Sequence, residues 1–223
     1  MDRLKLFEVP HKGIRNAFGQ ISLLAGNADY SDKETVRRLH EMGKDLCVFL
    51  SSHADDENDV VLAELEKKVP GASVHDMKDH EVIEIKQAKL EKMLDTIYEK
   101  SETGEDPAPL GAEFYFEFSR FASEYLAHMI GEEEITQKLL WDNFTDEELL
   151  GFRGRIIGNM KPEILLMTYR YIMPALDANT RAIILTMMKK GLPAELFDKM
   201  MAIGKKYLPA PDINQLINHL STI

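Results

Sequence analysis

The sequence predicts an all-α protein with four long helices followed by a set of short ones. Charged and apolar residues recur at three- and four-residue spacing, as they do along amphipathic helices. Alternating apolar and polar runs, which are typical of strands, are nearly absent. Helix-capping residues, together with Pro and Gly residues that end helices, divide the N-terminal part of the chain into long segments and the C-terminal part into short ones.

The first two helices are predicted at residues 9–26 and 32–68. The turn between them is rich in Asn, Asp and Tyr. Either Ser31 or the aspartate after it can cap the second helix, and Glu34 is placed for a capping box with Ser31. Pro70-Gly71 ends this helix.

The third and fourth helices are predicted at about 74–100 and 111–142. Ser73 caps the third helix, and Asp76 follows three residues later. The segment 101–109 is the most linker-like part of the chain, because it combines Ser, Thr, Gly and two prolines. We expect it to form the last connection within the bundle.

The sequence changes character after Trp141. Thr145 and Glu148 form another capping-box pattern, and the remaining chain is cut by Pro162, Pro174, Gly191-Leu192-Pro193 and Pro209-Ala210-Pro211. We therefore predict two parts: residues 1–144 form the bundle, and residues 145–223 form short helices packed on it. The second part is methionine-rich, with Met167, Met173, Met187, Met188, Met200 and Met201. They either fill gaps in packing or form an adaptable binding groove.

Composition narrows the class of protein. A formal net charge of −11 argues against a nucleic-acid partner, since no basic stripe is available for phosphates. Cys47 is the only cysteine, which excludes an internal disulfide and favours a reducing compartment. The chain has no apolar run long enough for a signal peptide or a membrane span. These features predict a soluble cytoplasmic protein without a membrane partner.

Four histidines fall one on each long helix: His11, His53, His80 and His128. Two of them are followed four residues later by a carboxylate, Glu57 after His53 and Glu132 after His128. Residues i and i+4 share one face of a helix, so each pair can direct an imidazole and a carboxylate to the same place. Imidazole with carboxylate suits iron, and carboxylates can bridge two ions inside a helical bundle.

The positions of these histidines along the helices agree with a common site. In an up-down bundle, residues at one depth lie about equally far from the turns that connect their helices. Here those distances differ by roughly one or two helical turns at about 1.5 Å per residue, which uncertain helix ends can absorb. His40 and His219 are predicted to be surface residues or satisfied core residues. His75 is assigned to the same class, although its closeness to His80 leaves it as an alternative ligand.

These elements together resemble the hemerythrin-like, or HHE cation-binding, domain over about residues 8–142. The resemblance rests on His11-Lys12-Gly13-Ile14-Arg15, His53-x3-Glu57, Asp79-His80 and His128-x3-Glu132. It implies an antiparallel up-down four-helix bundle that holds two iron ions in a non-haem centre, with or without a bridging oxygen or water. It also implies that the four histidines are terminal ligands, while Glu57 and Glu132 bridge the ions.

The sequence departs from the oxygen-carrying hemerythrins. In the carriers a fifth histidine lies four residues from the one on the third helix, where this chain has Asp76 or Glu84. The carrier spacing on the fourth helix would select Glu133 in place of Glu132. The pattern is more similar to the hemerythrin-like domain of the iron-sensing F-box protein. Whether His75, Asp76, Glu84 or Glu133 joins the site is left open.

Two classes of function follow from this resemblance. The first is a di-iron protein that binds or senses oxygen, nitric oxide or iron itself, and we favour it. The second is a di-iron carboxylate enzyme that reduces oxygen or peroxide, which the acidic residues around His80 support. The alternative to both classes is a purely structural metal site, with the C-terminal helices as the interaction surface for a protein partner or for self-association.

Overall fold

The computed structural model describes residues 3–221, which are helical nearly throughout and contain no strand. The four long helices are α1 (Glu8–Gly26), α2 (Lys33–Asp56, Glu57–Leu62 and Ala63–Lys68), α3 (Val74–Thr103) and α4 (Ala108–Gly131, Glu132–Thr136 and Gln137–Asn143). The middle segments of α2 and α4 are π-helical. The five short helices are α5 (Asp146–Asn159), α6 (Pro162–Ala175), α7 (Ala178–Gly191), α8 (Ala194–Tyr207) and α9 (Ala210–Ser221). None of these described helices is both long and apolar enough to span a membrane.

The helix ends show which capping signals operate. Asp32 caps α2 and accepts hydrogen bonds from the backbone of the two residues that follow Lys33, so the box between Ser31 and Glu34 does not form. Ser73 precedes α3 without capping it, because its hydroxyl donates to Glu66 at 2.6 Å. Thr145 forms the predicted capping box at the start of α5.

Pro174 marks the break between α6 and α7 to within one residue. It lies inside α6, which continues for one more residue and then ends. Proline removes one backbone donor, but in the last turn of a helix few further bonds are lost. The buried Arg181 donates to the carbonyl oxygens of Met173 at 3.1 Å and Leu176 at 2.6 Å. It thereby satisfies backbone groups at the end of α6.

Each long helix packs along two others, and the last segments of α2 and α4 also contact each other. α1 contacts α2 and α4, and α3 contacts the same two helices, so the four surround one apolar core. A second apolar cluster closes one end of this arrangement, where α5 lies on the π-helical turn of α2. Its buried members are Leu6, Phe7, Val60, Val61, Leu65, Leu140, Phe144, Leu149 and Phe152.

The short helices form a layer on the outside of α1 and α2. α6 packs on both helices, α8 packs on α6, and α9 packs on α7. Polar contacts support the apolar ones: Asn16 donates to the carbonyl oxygen of Tyr171 at 2.8 Å, and Arg170 pairs with Asp45 at 2.8 Å. The C-terminal segment is therefore bonded to the long helices through specific side chains.

Gly13 allows the close approach of α1 and α6. A Cβ atom at this position would lie 2.5 Å from Ile172 Cγ1 and 3.2 Å from Ile172 Cα, so backbone as well as side chain would have to move. We predict that Gly13→Ala destabilises the protein by about 1–3 kcal/mol through overpacking. Urea denaturation measures this change.

Gly19→Ala is the matched control, because Gly19 lies on the same helix and its Cβ would meet no atom within 4 Å. Better helix propensity should make this variant more stable by up to about 1 kcal/mol. Equal stability of the two variants would show that the contact with Ile172 imposes no constraint.

Candidate metal centre

The six residues singled out in the sequence converge in the structure. They form two groups whose ligand atoms lie within 4.8 Å of one another, and Glu132 belongs to both groups. His11, His53, Glu57 and Glu132 make up the first group, and His80 and His128 join Glu132 in the second.

The two carboxylates connect the groups. Glu57 places Oε1 3.1 Å from His53 Nε2 and Oε2 3.4 Å from His80 Nε2. Glu132 places Oε2 3.3 Å from His11 Nε2 and Oε1 3.1 Å from His128 Nε2. Each carboxylate thus has one oxygen on the His11–His53 side and one on the His80 side. This is the arrangement that a bridge between two ions requires.

The inner atoms of the cluster are buried without good hydrogen bonds. Among residues 3–221, five buried side-chain nitrogen and oxygen atoms lack a hydrogen-bond partner, and all five belong to this cluster: Glu57 Oε1 and Oε2, His80 Nε2, His128 Nε2 and Glu132 Oε2. Buried polar groups without partners are costly and uncommon in folded proteins. Their convergence indicates a cation-binding site.

The separations fit metal ligands. Metal–ligand bonds of about 2.0–2.2 Å at right angles place neighbouring ligand atoms about 3 Å apart. The nearest inner contacts, such as the 3.1 Å between His11 Nε2 and His53 Nε2, lie close to that value. The donor set of imidazole nitrogens and carboxylate oxygens suits iron.

Both connecting carboxylates begin a π-helical turn. Glu57 is the first residue of the turn in α2, and Glu132 is the first residue of the turn in α4. A π-helical turn replaces i→i+4 hydrogen bonds by i→i+5 bonds, and such turns occur often at functional sites. Their occurrence at equivalent points of two helices marks the centre independently of the side chains.

Outer partners hold the imidazole rings of three of the histidines. His11 Nδ1 donates to Glu133 Oε1 at 2.8 Å, and His80 Nδ1 donates to Asn58 Oδ1 at 2.9 Å. His128 Nδ1 lies 3.5 Å from the carboxylate of Asp79. Metal-binding histidines commonly donate their second ring N–H in this way, which directs the other nitrogen to the metal.

Comparison with known families gives the same assignment. The model of the hemerythrin HHE cation-binding domain matches residues 2–140. The chain belongs to this family. No curated protein and no solved structure matches the chain. As a member of the hemerythrin HHE family, the chain contains a domain that binds metal cations, typically iron, and the structure supplies a histidine and glutamate cluster able to hold them.

The residues that the sequence left open lie around this hemerythrin-like cluster and outside both groups. The side chain of His75 is 82% exposed and faces Asp79, and Glu84 is exposed. Asp76 is buried and accepts a hydrogen bond from Thr136 at 2.6 Å. Glu133 supports His11 from outside. His40 is bonded to Asp95 at 2.8 Å, as expected for a satisfied surface histidine.

Several supporting residues of the centre were missed in the sequence. Arg15 donates to both oxygens of Glu133, at 2.7 and 2.9 Å, and so fixes the carboxylate that holds His11. Asn58 gave no signal, because an asparagine beside a ligand has no distinctive spacing. Tyr125 packs 6.0 Å from the ring of His128, ring centre to ring centre. Burial, together with the charges of Glu57 and Glu132, raises its pKa well above the ordinary value.

Without a metal, protons on the histidines balance the carboxylates. Burial lowers the pKa of His11, but hydrogen bonds to the neighbouring glutamates, chiefly Glu132, outweigh it and raise the pKa to about 10. The same balance raises the pKa of His80 to about 10. Burial dominates at His53 and lowers its pKa to about 4. Burial opposes ionisation of Glu132, but hydrogen bonds from His11, His128 and a third histidine hold its pKa well below the ordinary value.

The raised pKa of His11 predicts how stability depends on pH in chelator-treated protein. Its pKa is about 6.5 when unfolded and about 10 when folded, so its stabilising contribution is complete below pH 6.5 and is lost as the pH rises to 10. Glu133→Gln removes a charge that raises this pKa, so the free energy of unfolding should fall less over that interval. Urea denaturation at several pH values measures the difference.

Glu134→Gln is the control, because Glu134 is the exposed neighbour of Glu133 and carries the same charge. It should keep the pH dependence of the wild type. An unchanged fall in Glu133→Gln would mean that this carboxylate has no effect on the protonation of His11.

Proposed function

We propose that the protein is a non-haem di-iron protein that binds or senses a diatomic ligand, oxygen or nitric oxide, or iron itself. The observation that carries this proposal is the placement of the two carboxylates, each with one oxygen towards either set of histidines. His11, His53, His80 and His128 would be the terminal ligands, and Glu57 and Glu132 the bridging ones. Bound iron would supply open coordination positions for a diatomic ligand, because six residues leave two octahedral ions incompletely ligated.

The frame that supports this centre is, in our proposal, an antiparallel up-down bundle formed by residues 1–144. Consecutive long helices are joined by short connections, and each packs against both neighbours. Short connections favour antiparallel neighbours. Residues 145–223 then form an extension that packs on the outside of this bundle.

The residues of the chain act on the site in three ways. Asn58, Glu133 and Asp79 orient the imidazoles, so that little rearrangement is needed when a cation binds. The apolar cluster around Phe7 and Val61 closes one end of the site and keeps water away from it. The low local polarity strengthens the attraction between carboxylates and cations.

A di-iron carboxylate enzyme that reduces oxygen or peroxide is the second candidate. The observation in its favour is Asp76, a buried carboxylate one helical turn before His80, at a position where the oxygen carriers can have a fifth histidine. Carboxylate-rich sites suit higher-valent iron. Asp76 is bonded to Thr136 and is absent from both ligand groups, so we place binding or sensing first.

The two functions differ in how the iron-loaded protein responds to air. Visible absorption that appears with oxygen or nitric oxide and disappears when the gas is removed would support binding. Steady oxygen or peroxide consumption with a reductant would support the enzyme and contradict our first choice.

Loss of one bridging carboxylate should change the metal content. We predict two iron ions per chain in the wild type and at most one in Glu57→Gln, because a neutral amide cannot join two ions. Metal analysis of protein purified in the presence of iron measures this content.

Asp59→Asn is the matched control, since Asp59 lies on the same π-helical turn but is exposed. It should bind two ions. Two ions in Glu57→Gln would exclude Glu57 as a bridge, and none in the wild type would contradict the proposed function.

A further inference from the structure

A second binding site lies beside the metal centre, between the long helices and the C-terminal layer. A cavity of about 130 Å³ separates α5, α6 and α7 from α1 and α2. It exists because α5 rests on the π-helical turn of α2, whereas α6 packs along α1. About half of its wall comes from residues beyond 140, outside the part of the chain that the family model matches.

The wall is mainly apolar. Side chains of Phe49, Val61, Ile157, Leu165 and Ile172 line it, together with other aliphatic and methionine residues. A cavity with such a wall has few groups that could hold water. It favours an apolar molecule as its occupant.

The size of the cavity limits that occupant. An apolar protein cavity of about 150 Å³ binds benzene. A cavity of about 130 Å³ with a partly open mouth therefore accommodates one ring or a short branched chain. Met160 and the 47%-exposed Met187 contribute flexible side chains to the wall, which can adjust to the shape of the occupant.

Besides His53 and Glu57, five polar residues line the wall, and Arg153 is the one permanent cation among them: Ser52, Asp56, Arg153, Thr168 and Tyr169. Arg153 donates one hydrogen bond, to the carbonyl oxygen of Lys5 at 3.0 Å, and no carboxylate among residues 3–221 lies within ion-pair distance of it. Glu8 is the acidic residue whose charge affects the pKa of Arg153, and its carboxylate is paired with Lys12 at 2.6 Å. Tyr169 is buried beside Arg153, whose charge acts on its hydroxyl group.

An arginine has five N–H donors in a planar arrangement that matches a carboxylate. A partly buried arginine without a counter-ion, beside an apolar cavity, is suited to an anion that carries an apolar body. His53 and Glu57 belong to the same wall, so an occupant of the cavity lies against the candidate metal centre.

We infer that this cavity binds a small monocarboxylate with a compact apolar body about the size of one ring, its carboxylate on Arg153. The body fills the space between α6 and the long helices. This inference goes beyond the proposed function, because the site requires no bound metal.

Benzoate is the probe for this site, and equilibrium dialysis and protein NMR of the full chain measure its binding. Chelator-treated protein is used, so that direct binding of benzoate to iron plays no part and a failed metal site leaves the test intact. Wild-type protein should bind benzoate, and acetate, which lacks the apolar body, should bind far more weakly. Loss of a charge-assisted hydrogen bond should weaken benzoate binding about 10–100-fold in Arg153→Met.

Arg155→Met is the matched control. Arg155 lies two residues further on α5, is paired with Glu64 at 3.1 Å and does not line the cavity. Benzoate should bind this variant as it binds the wild type. Ile157→Trp should abolish benzoate binding, because the larger side chain fills the cavity. Toluene has no charge to place on Arg153, so it should bind the wild type and Arg153→Met equally.

Three results would overturn the inference. The first is absence of benzoate binding to folded wild-type protein, and the second is equal binding to Arg153→Met. The third is binding of toluene without benzoate, which would leave an apolar cavity with no role for the arginine. If Ile157→Trp does not fold by circular dichroism, competition between toluene and benzoate decides whether both occupy one cavity.

Discussion

Burial of two carboxylates among four imidazoles is the constraint on which the arrangement of the helices depends. Glu57 and Glu132 are almost fully buried, and neither has an arginine or lysine partner. A buried charge without a partner costs several kcal/mol, so these groups require protons on the histidines or cations between them. All four long helices must therefore direct their polar groups to one point. This requirement fixes how each helix is rotated about its own axis.

The residues around the histidine and glutamate cluster enclose it in an apolar environment and hold its side chains in position. Phe7 and the apolar cluster behind it close one end, while Phe18, Phe121 and Tyr125 of the main core lie on the other side. Outer hydrogen bonds to Asn58 and Glu133 hold rings that would otherwise rotate. The C-terminal layer adds a feature that the bundle alone would lack, a cavity whose wall includes His53 and Glu57. A ligand in that cavity and a cation in the centre would contact the same side chains.

Much of this candidate centre could be predicted, because its candidate ligands are distributed regularly. One histidine on each long helix, with a carboxylate four residues after two of them, is a pattern that helical periodicity turns into a common face. The supporting residues have no such regularity. Glu133 is adjacent to Glu132 in sequence, yet it bonds His11 and Arg15 from outside the cluster. Which of the two glutamates points into the cluster depends on how α4 is rotated at its π-helical turn.

The sequence alone determined the helical class, the candidate ligands and the helices that carry them, since these depend on residue type and local spacing. Tertiary structure decided the rest. The π-helical turns at Glu57 and Glu132 and the course of α6 through Pro174 follow from packing between helices, which a local pattern does not contain. The cavity beside Arg153 arises where α5 and α6 rest on different helices, so it depends on contacts between segments far apart in the chain.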